Sequence, residues 1–202
     1  DHRESRGLGD VYKRQVRAFV HTFAVTLWFY AMARLPVAEV AAMGYLTPVY
    51  VTIGAVLILG ERLALRRGVA IFLAVIGVLI VLRPGFREVS MSHLAMLGSS
   101  LFMGASYLTA KRLTNVASAE MVISLLSIGV TIGLIPLTIP VWINPTGFEL
   151  LMLFLVATFA VAGHYTMTLA FRSASLTVIQ PISFLQLVWA VAVGFLLFGE
   201  RI

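Results

Sequence analysis

Residues Arg34 to Arg62 read RLPVAEVAAMGYLTPVYVTIGAVLILGER, a long apolar run closed by Gly60-Glu61-Arg62. The chain writes this pattern again from Arg172 to Arg201, RSASLTVIQPISFLQLVWAVAVGFLLFGER. Laying Gly60-Glu61-Arg62 on Gly199-Glu200-Arg201 aligns the two without a gap. It sets Ala31 on Ala170, Leu46 on Leu185, Val49 on Val188, Tyr50 on Trp189 and Leu57 on Leu196. Each copy carries a proline, Pro48 and Pro181, at positions that do not correspond. Identities outside the closing triplet are few, so the repeat rests on shared hydropathy and shared punctuation. It predicts a molecule of two related halves.

Working outward, composition sets the class. The chain is 60% hydrophobic and 12% charged, more apolar surface than a 202-residue soluble domain can hide. A lipid bilayer is therefore its expected partner. The net charge of +6 comes from basic residues in short clusters between apolar runs. That is how loop anchors are distributed, and it argues against a nucleic-acid-binding face. With no cysteine, disulfides, thiol nucleophiles and cysteine metal sites are excluded. No motif calls for a metal or another cofactor. The first fifteen residues, DHRESRGLGDVYKRQ, hold seven charges and no apolar period. They read as a leader, non-native or disordered, to be set apart from the fold.

A helix needs about 20 apolar residues to cross a hydrocarbon core of about 30 Å. Seven segments approach this: 18–33, 37–59, 68–82, 94–110, 121–143, 150–171 and 176–198. The connectors are too short to hold a soluble domain. Alternate loops divide lysine and arginine seven against four: Arg17, Arg62, Arg66, Arg67, Lys111, Arg112 and Arg172 oppose Arg34, Arg83, Arg87 and Arg201. The richer side is expected to be cytoplasmic. Gly60-Glu61-Arg62 and Gly199-Glu200-Arg201 then lie on opposite faces of the membrane. The two copies are inverted, as in many alternating-access carriers.

The run from Tyr30 to Gly85 resembles the third to fifth helices of the drug/metabolite transporter superfamily, EamA type. The features that carry the likeness are the Leu35-Pro36 turn, the proline in the next helix, the closing Gly-Glu-Arg, and the Gly77 helix ending in Leu82-Arg83-Pro84-Gly85. Met91 to Ile202 then resembles helices six to nine. The resemblance implies an all-α polytopic membrane helix bundle of two inverted five-helix repeats, here incomplete with about seven transmembrane helices. Residues 16–86 are part of the first repeat and residues 91–202 part of the second, so the chain is expected to be truncated at both ends. It also implies a secondary-active carrier in the bacterial inner membrane, moving a small organic metabolite or drug through a central cavity by alternating access, with no catalytic residue.

Polar groups facing lipid are costly, so intramembrane polar residues mark the interior or a water-filled path. His164, with Thr168 one turn on, can bind substrate or carry a proton; the plainer reading is a neutral histidine bonded to a neighbouring helix. His21 reads as an interfacial histidine. Glu39 sits in the first turn after Pro36, where a carboxylate favours the helix N-terminus. Glu39, Met43, Thr47 and Tyr50 also share a helical face that can line a pathway. Gln180 and Ser183 flank Pro181 on one face, and Pro48 and Pro181 are candidate hinges, since each removes a backbone donor. Proton or ion coupling is open. So is a homodimer through Gly129-xxx-Gly133 or Ser100-xxx-Gly104. Trp28, Tyr30, Trp142 and Phe148 suit an aromatic belt, and Glu61 and Glu200 read as helix-end markers. The competing enzyme reading is an intramembrane serine protease of rhomboid-like type, with Ser106 and His164 as a dyad; it lacks the motif's final glycine and an oxyanion-hole loop.

Overall fold

The computed structural model describes residues 2–82, 89–183, 185 and 196. Its described elements are helices: α1 (His2–Met32), α2 (Val37–Gly44), α3 (Leu46–Leu59), α4 (Leu65–Leu82), α5 (Met91–Leu113), α6 (Ala119–Thr138), α7 (Gly147–Ser173) and α8 (Leu176–Ser183). A short 3-10 turn, Ile139–Val141, follows α6. The architecture is the all-α polytopic bundle expected. The end of the last expected span, with Gly199, Glu200 and Arg201, lies outside the described residues.

Local chemistry sets the helix ends. The chain leaves α1 through Leu35-Pro36 and starts α2 with Pro36 at the N-cap in an extended conformation. The expected second span is broken at Tyr45 into α2 and α3. Pro48 has no N–H to give the carbonyl one turn back, that of Gly44, so the ladder cannot run through this point. Helix α3 stops at Gly60, whose φ of 69° is left-handed, a conformation that costs a side chain dearly. The Glu61 N–H then closes on Ala55 O at 3.1 Å, the wide bond of a glycine C-cap. Reciprocal capping boxes open α5 (Ser90 and His93) and α7 (Thr146 and Glu149). The segment 2–15 is part of α1, which runs unbroken from His2. Its Arg, Glu, Lys and Gln are good helix formers even where they supply no apolar face.

Helices α1 and α5 pack along each other at the centre. Helix α6 lies on α1, α3 on α5, α8 on α3, and α7 on α6 and α5. Gly129 explains the closeness of α1 and α6: a Cβ there would stand 2.4 Å from Ala18 Cβ, and one at Gly133 would stand 2.8 Å from Thr22. The GxxxG stripe is thus used inside the molecule. In the same way Gly104 of α5 admits Tyr50 and Val51 of α3. Two apolar clusters fill the contacts, one around Val51, Ala110, Phe171 and Leu176, the other around Ala31, Val40, Met43 and Met96.

Among the described residues, three stretches are long and apolar enough to cross a membrane: Glu39–Leu59, Ala119–Val141 and Gly147–Ser173. Helices α1 and α5 are as long but carry the inward polar side chains Arg17, His21, Ser99, Ser100 and Ser106. The exterior is the reverse, with Phe72, Leu73, Ile132, Phe154 and Phe159 exposed. A bundle apolar outside and polar inside is built for lipid. Trp142 and Phe148 are exposed near helix ends, where an aromatic belt lies, but Trp28 turns inward.

Candidate functional site

A cavity of about 420 Å³ opens where α1, α2, α3, α5 and α8 meet. Trp28 and Met32 reach it from α1, Gly44 and Tyr45 from the helix break, and Thr47 and Pro48 from the start of α3. Met96, Ser99, Ser100, Met103 and Tyr107 line the α5 side; Met167 and then Gln180 and Ser183 close it. Ser99 Oγ donates to Ala24 O at 2.8 Å, and Ser100 Oγ to Met43 O at 3.0 Å. These bonds tie α5 to α1 and α2 and fix the cavity wall.

Deeper between α1, α5, α6 and α7 lies a second polar group. The Arg17 side chain is 2% exposed and donates to Val122 O at 2.9 Å. One turn on, His21 Nδ1 lies 3.1 Å from Ser106 Oγ. The His21 ring meets the His164 ring edge-on with centroids 5.4 Å apart. Arg17 Nε and His164 Nδ1 are buried without a hydrogen-bond partner. An unmatched buried polar atom costs about 1–3 kcal/mol. His21, expected at an interface, is 4% exposed and is the more deeply buried of the pair. The reason is its neighbour Ser106, a small hydroxyl on the central helix that gives the ring a partner. Ser106 pairs with His21 rather than with His164, and at 0% exposure its hydroxyl is out of a substrate's reach, which disfavours the rhomboid-like dyad.

At the end of the bundle that carries Arg62, Lys111 and Arg172, the charged side chains cap helices. The N–H groups of Leu176 and Thr177 donate to the two Glu61 carboxylate oxygens, each at 2.9 Å. Glu61 is therefore a cap for α8, and its carboxylate meets the positive end of that helix. Lys111 Nζ donates to Phe171 O and, at 2.6 Å, to Ala174 O, closing α7. Arg112 Nη2 donates to Ile58 O at 3.2 Å, closing α3. At the opposite end Glu39 pairs with His93, Oε2 to Nε2 at 3.3 Å. The Ser90 N–H donates to His93 Nδ1 at 3.0 Å. Nδ1 is thus an acceptor, and the ring proton sits on Nε2, facing the carboxylate.

The expected site residues are dispersed by this geometry. Thr47, Pro48, Gln180 and Ser183 line the cavity. Thr168 is buried at 1% and spends its hydroxyl on His164 O at 2.7 Å. Glu39 lies on His93, Met43 is in the core, and Tyr50 packs beside Gly104. The face drawn through Glu39, Met43, Thr47 and Tyr50 crosses the break at Tyr45, and of the four only Thr47 lines the cavity. Pro181 sits inside α8 between Gln180 and Ser183. Sequence reasoning missed Trp28, Met96, Met103, Arg17 and His93 as functional neighbours. Only Arg17, a charge close to an apolar run, carried any signal.

Residues 9–83 match the profile of the EamA-like transporter family. Over 197 residues the chain is 27% identical to a riboflavin transporter of Rhizobium johnstonii, covering 93% of this chain and 63% of the relative. A riboflavin transporter of Vibrio cholerae is 27% identical over 91% of this chain and 62% of its own length. An S-adenosylmethionine uptake transporter of Rickettsia prowazekii is 24% identical over 91% and 65%. The chain therefore spans a little under two thirds of the length of the curated relatives it matches. No solved structure matches it.

Proposed function

We propose a transport function on one premise: the chain belongs to the EamA-like transporter family of the drug/metabolite transporter superfamily. In this reading it forms part of a secondary-active carrier of the bacterial inner membrane that moves a small organic metabolite by alternating access. The observation that carries the proposal is the cavity of about 420 Å³ inside a bundle with an apolar exterior. Its size falls in the range of about 300–1,000 Å³ that holds a drug-sized molecule. The named relatives transport riboflavin or S-adenosylmethionine, and solutes of that size class are the proposed substrates here. The broken helix touches the cavity through Tyr45 and Pro48, and α8 touches it through Gln180 and Ser183, on either side of Pro181. They are the proposed hinges.

The Arg17, His21 and His164 group is the proposed coupling site, since it gathers two imidazoles, side chains able to bind and release a proton, around a buried cation. Uptake and efflux of a metabolite panel by vesicles containing the intact gene product tests the carrier reading. Saturable movement of a panel member is expected, and an inert vesicle overturns it. With the transported solute, His164→Ala is expected to abolish the response of the rate to an imposed proton gradient. A wild-type rate that does not respond to the gradient removes the histidine pair from coupling.

A further inference from the structure

No Asp, Glu, Lys, Arg or His lines the cavity among the described residues. A charged solute brought there would lose its water with no counter-charge to replace it, an arrangement that strongly disfavours binding. The walls are instead broad and soft. Trp28, Tyr45 and Tyr107 offer flat rings, and Met96, Met103 and Met167 offer thioethers that mould to flat apolar faces. One polar group stands out against them. Gln180 is 2% exposed, lines the cavity, and among the described residues has no hydrogen bond to its carboxamide. A carboxamide presents one acceptor beside donors, which matches a ring edge carrying a donor next to an acceptor in the way glutamine reads adenine. The hydroxyl protons of Ser99 and Ser100 are already committed to Ala24 O and Met43 O. Trp28, Tyr45, Thr47, Tyr107 and Ser183 also bring polar hydrogens to the wall, but among the described lining residues Gln180 has the one carboxamide, a planar group with donor and acceptor side by side.

We infer that this cavity selects an uncharged, flat heteroaromatic solute, held between aromatic and methionine side chains and read along one hydrogen-bonding edge by Gln180. The inference rests on the transport reading for the cavity's role, and it names the substrate class. It assigns Gln180 as the residue that determines specificity.

Matched pairs differing only in charge test it: a flavin against its 5′-phosphate monoester, and adenosine against its 5′-monophosphate. Binding to the purified intact protein is read by quenching of flavin fluorescence and by competition, and uptake is read in vesicles. The uncharged member of at least one pair is expected to bind saturably, with its phosphate ester at least about tenfold weaker. Gln180→Leu is expected to raise Kd and KM about tenfold while leaving the maximal rate within about twofold. Thr166→Ala, on an exposed face of α7, serves as a matched control and is expected to change neither.

Equal affinity for parent and phosphate ester overturns the inference, as does transport confined to charged solutes. In either case the carrier reading stands. Selective flavin or adenosine binding that Gln180→Leu weakens, in vesicles that move nothing, supports the inference and overturns the carrier reading. If Gln180→Leu protein is not recovered folded, Gln180→Glu replaces it. The expected result is loss of binding for the uncharged solute as the carboxylate ionises, and unchanged binding from pH 5 to 8 overturns the role of Gln180.

Discussion

At the scale of single residues, the functional weight of a charge depends on which atoms it meets. Glu61 ends one apolar run in the sequence, yet its carboxylate holds the first N–H groups of α8, 115 residues away. Removing an N-cap costs about 0.5–2 kcal/mol. Glu61→Ala is therefore expected to lower the detergent-solubilised melting temperature by several degrees, Glu61→Gln to fall between it and wild type, and Glu61→Asp to recover little because its chain is shorter. Thermal denaturation checks this order, and equal melting for all variants removes the cap from the stability of the fold. The identity of Glu61 as a helix-end residue was legible from Gly60, but which helix it serves was not. The same holds for His21: its sequence neighbours place it near a helix end, and only Ser106 and His164 explain its burial.

Elements tell more of their story locally. The left-handed Gly60, the Pro36 turn and the capping boxes at Ser90 and Thr146 lie in short windows, because helix ends must satisfy their own backbone groups. The break at Tyr45 also follows from Pro48, yet one hydropathy run covers α2 and α3 and hides it. Gly129 and Gly133 were legible as a packing stripe and silent as to partner. Since the stripe meets Ala18 and Thr22, Gly129→Val is expected to destabilise the protein by about 1–3 kcal/mol through overpacking, with its oligomeric state unchanged. Thermal denaturation together with size-exclusion light scattering checks both halves of that statement. A loss of dimer at unchanged stability would return the stripe to an interface between copies.

At the scale of the whole molecule, the distribution of lysine and arginine predicts the orientation. Three of the expected cytoplasmic charges, Glu61, Lys111 and Arg112, bond helix ends on one end of the bundle, so the topological signal and the capping chemistry coincide there. Because the chain has no cysteine, a single introduced thiol reports its own side. Asn144→Cys is expected to react with an impermeant maleimide in intact cells, and Arg62→Cys only after permeabilisation. The reverse pattern inverts the orientation, and with it the assignment of the Glu39–His93 pair to the outer end.

Membrane residence, helical class and the family likeness were determined by the sequence alone. Each depends on composition or on residues within a few turns, where lipid solvation and backbone hydrogen bonding act locally. Tertiary structure alone decided that Trp28 faces a cavity, that His21 and His164 are one pair, and that Glu61 belongs to α8. It also decided that Glu39, Thr47 and Tyr50 part company. Those facts come from contacts between residues distant in the chain, and helix packing fixes them through the shape of side chains, such as the absent Cβ of Gly129, that hydropathy does not encode.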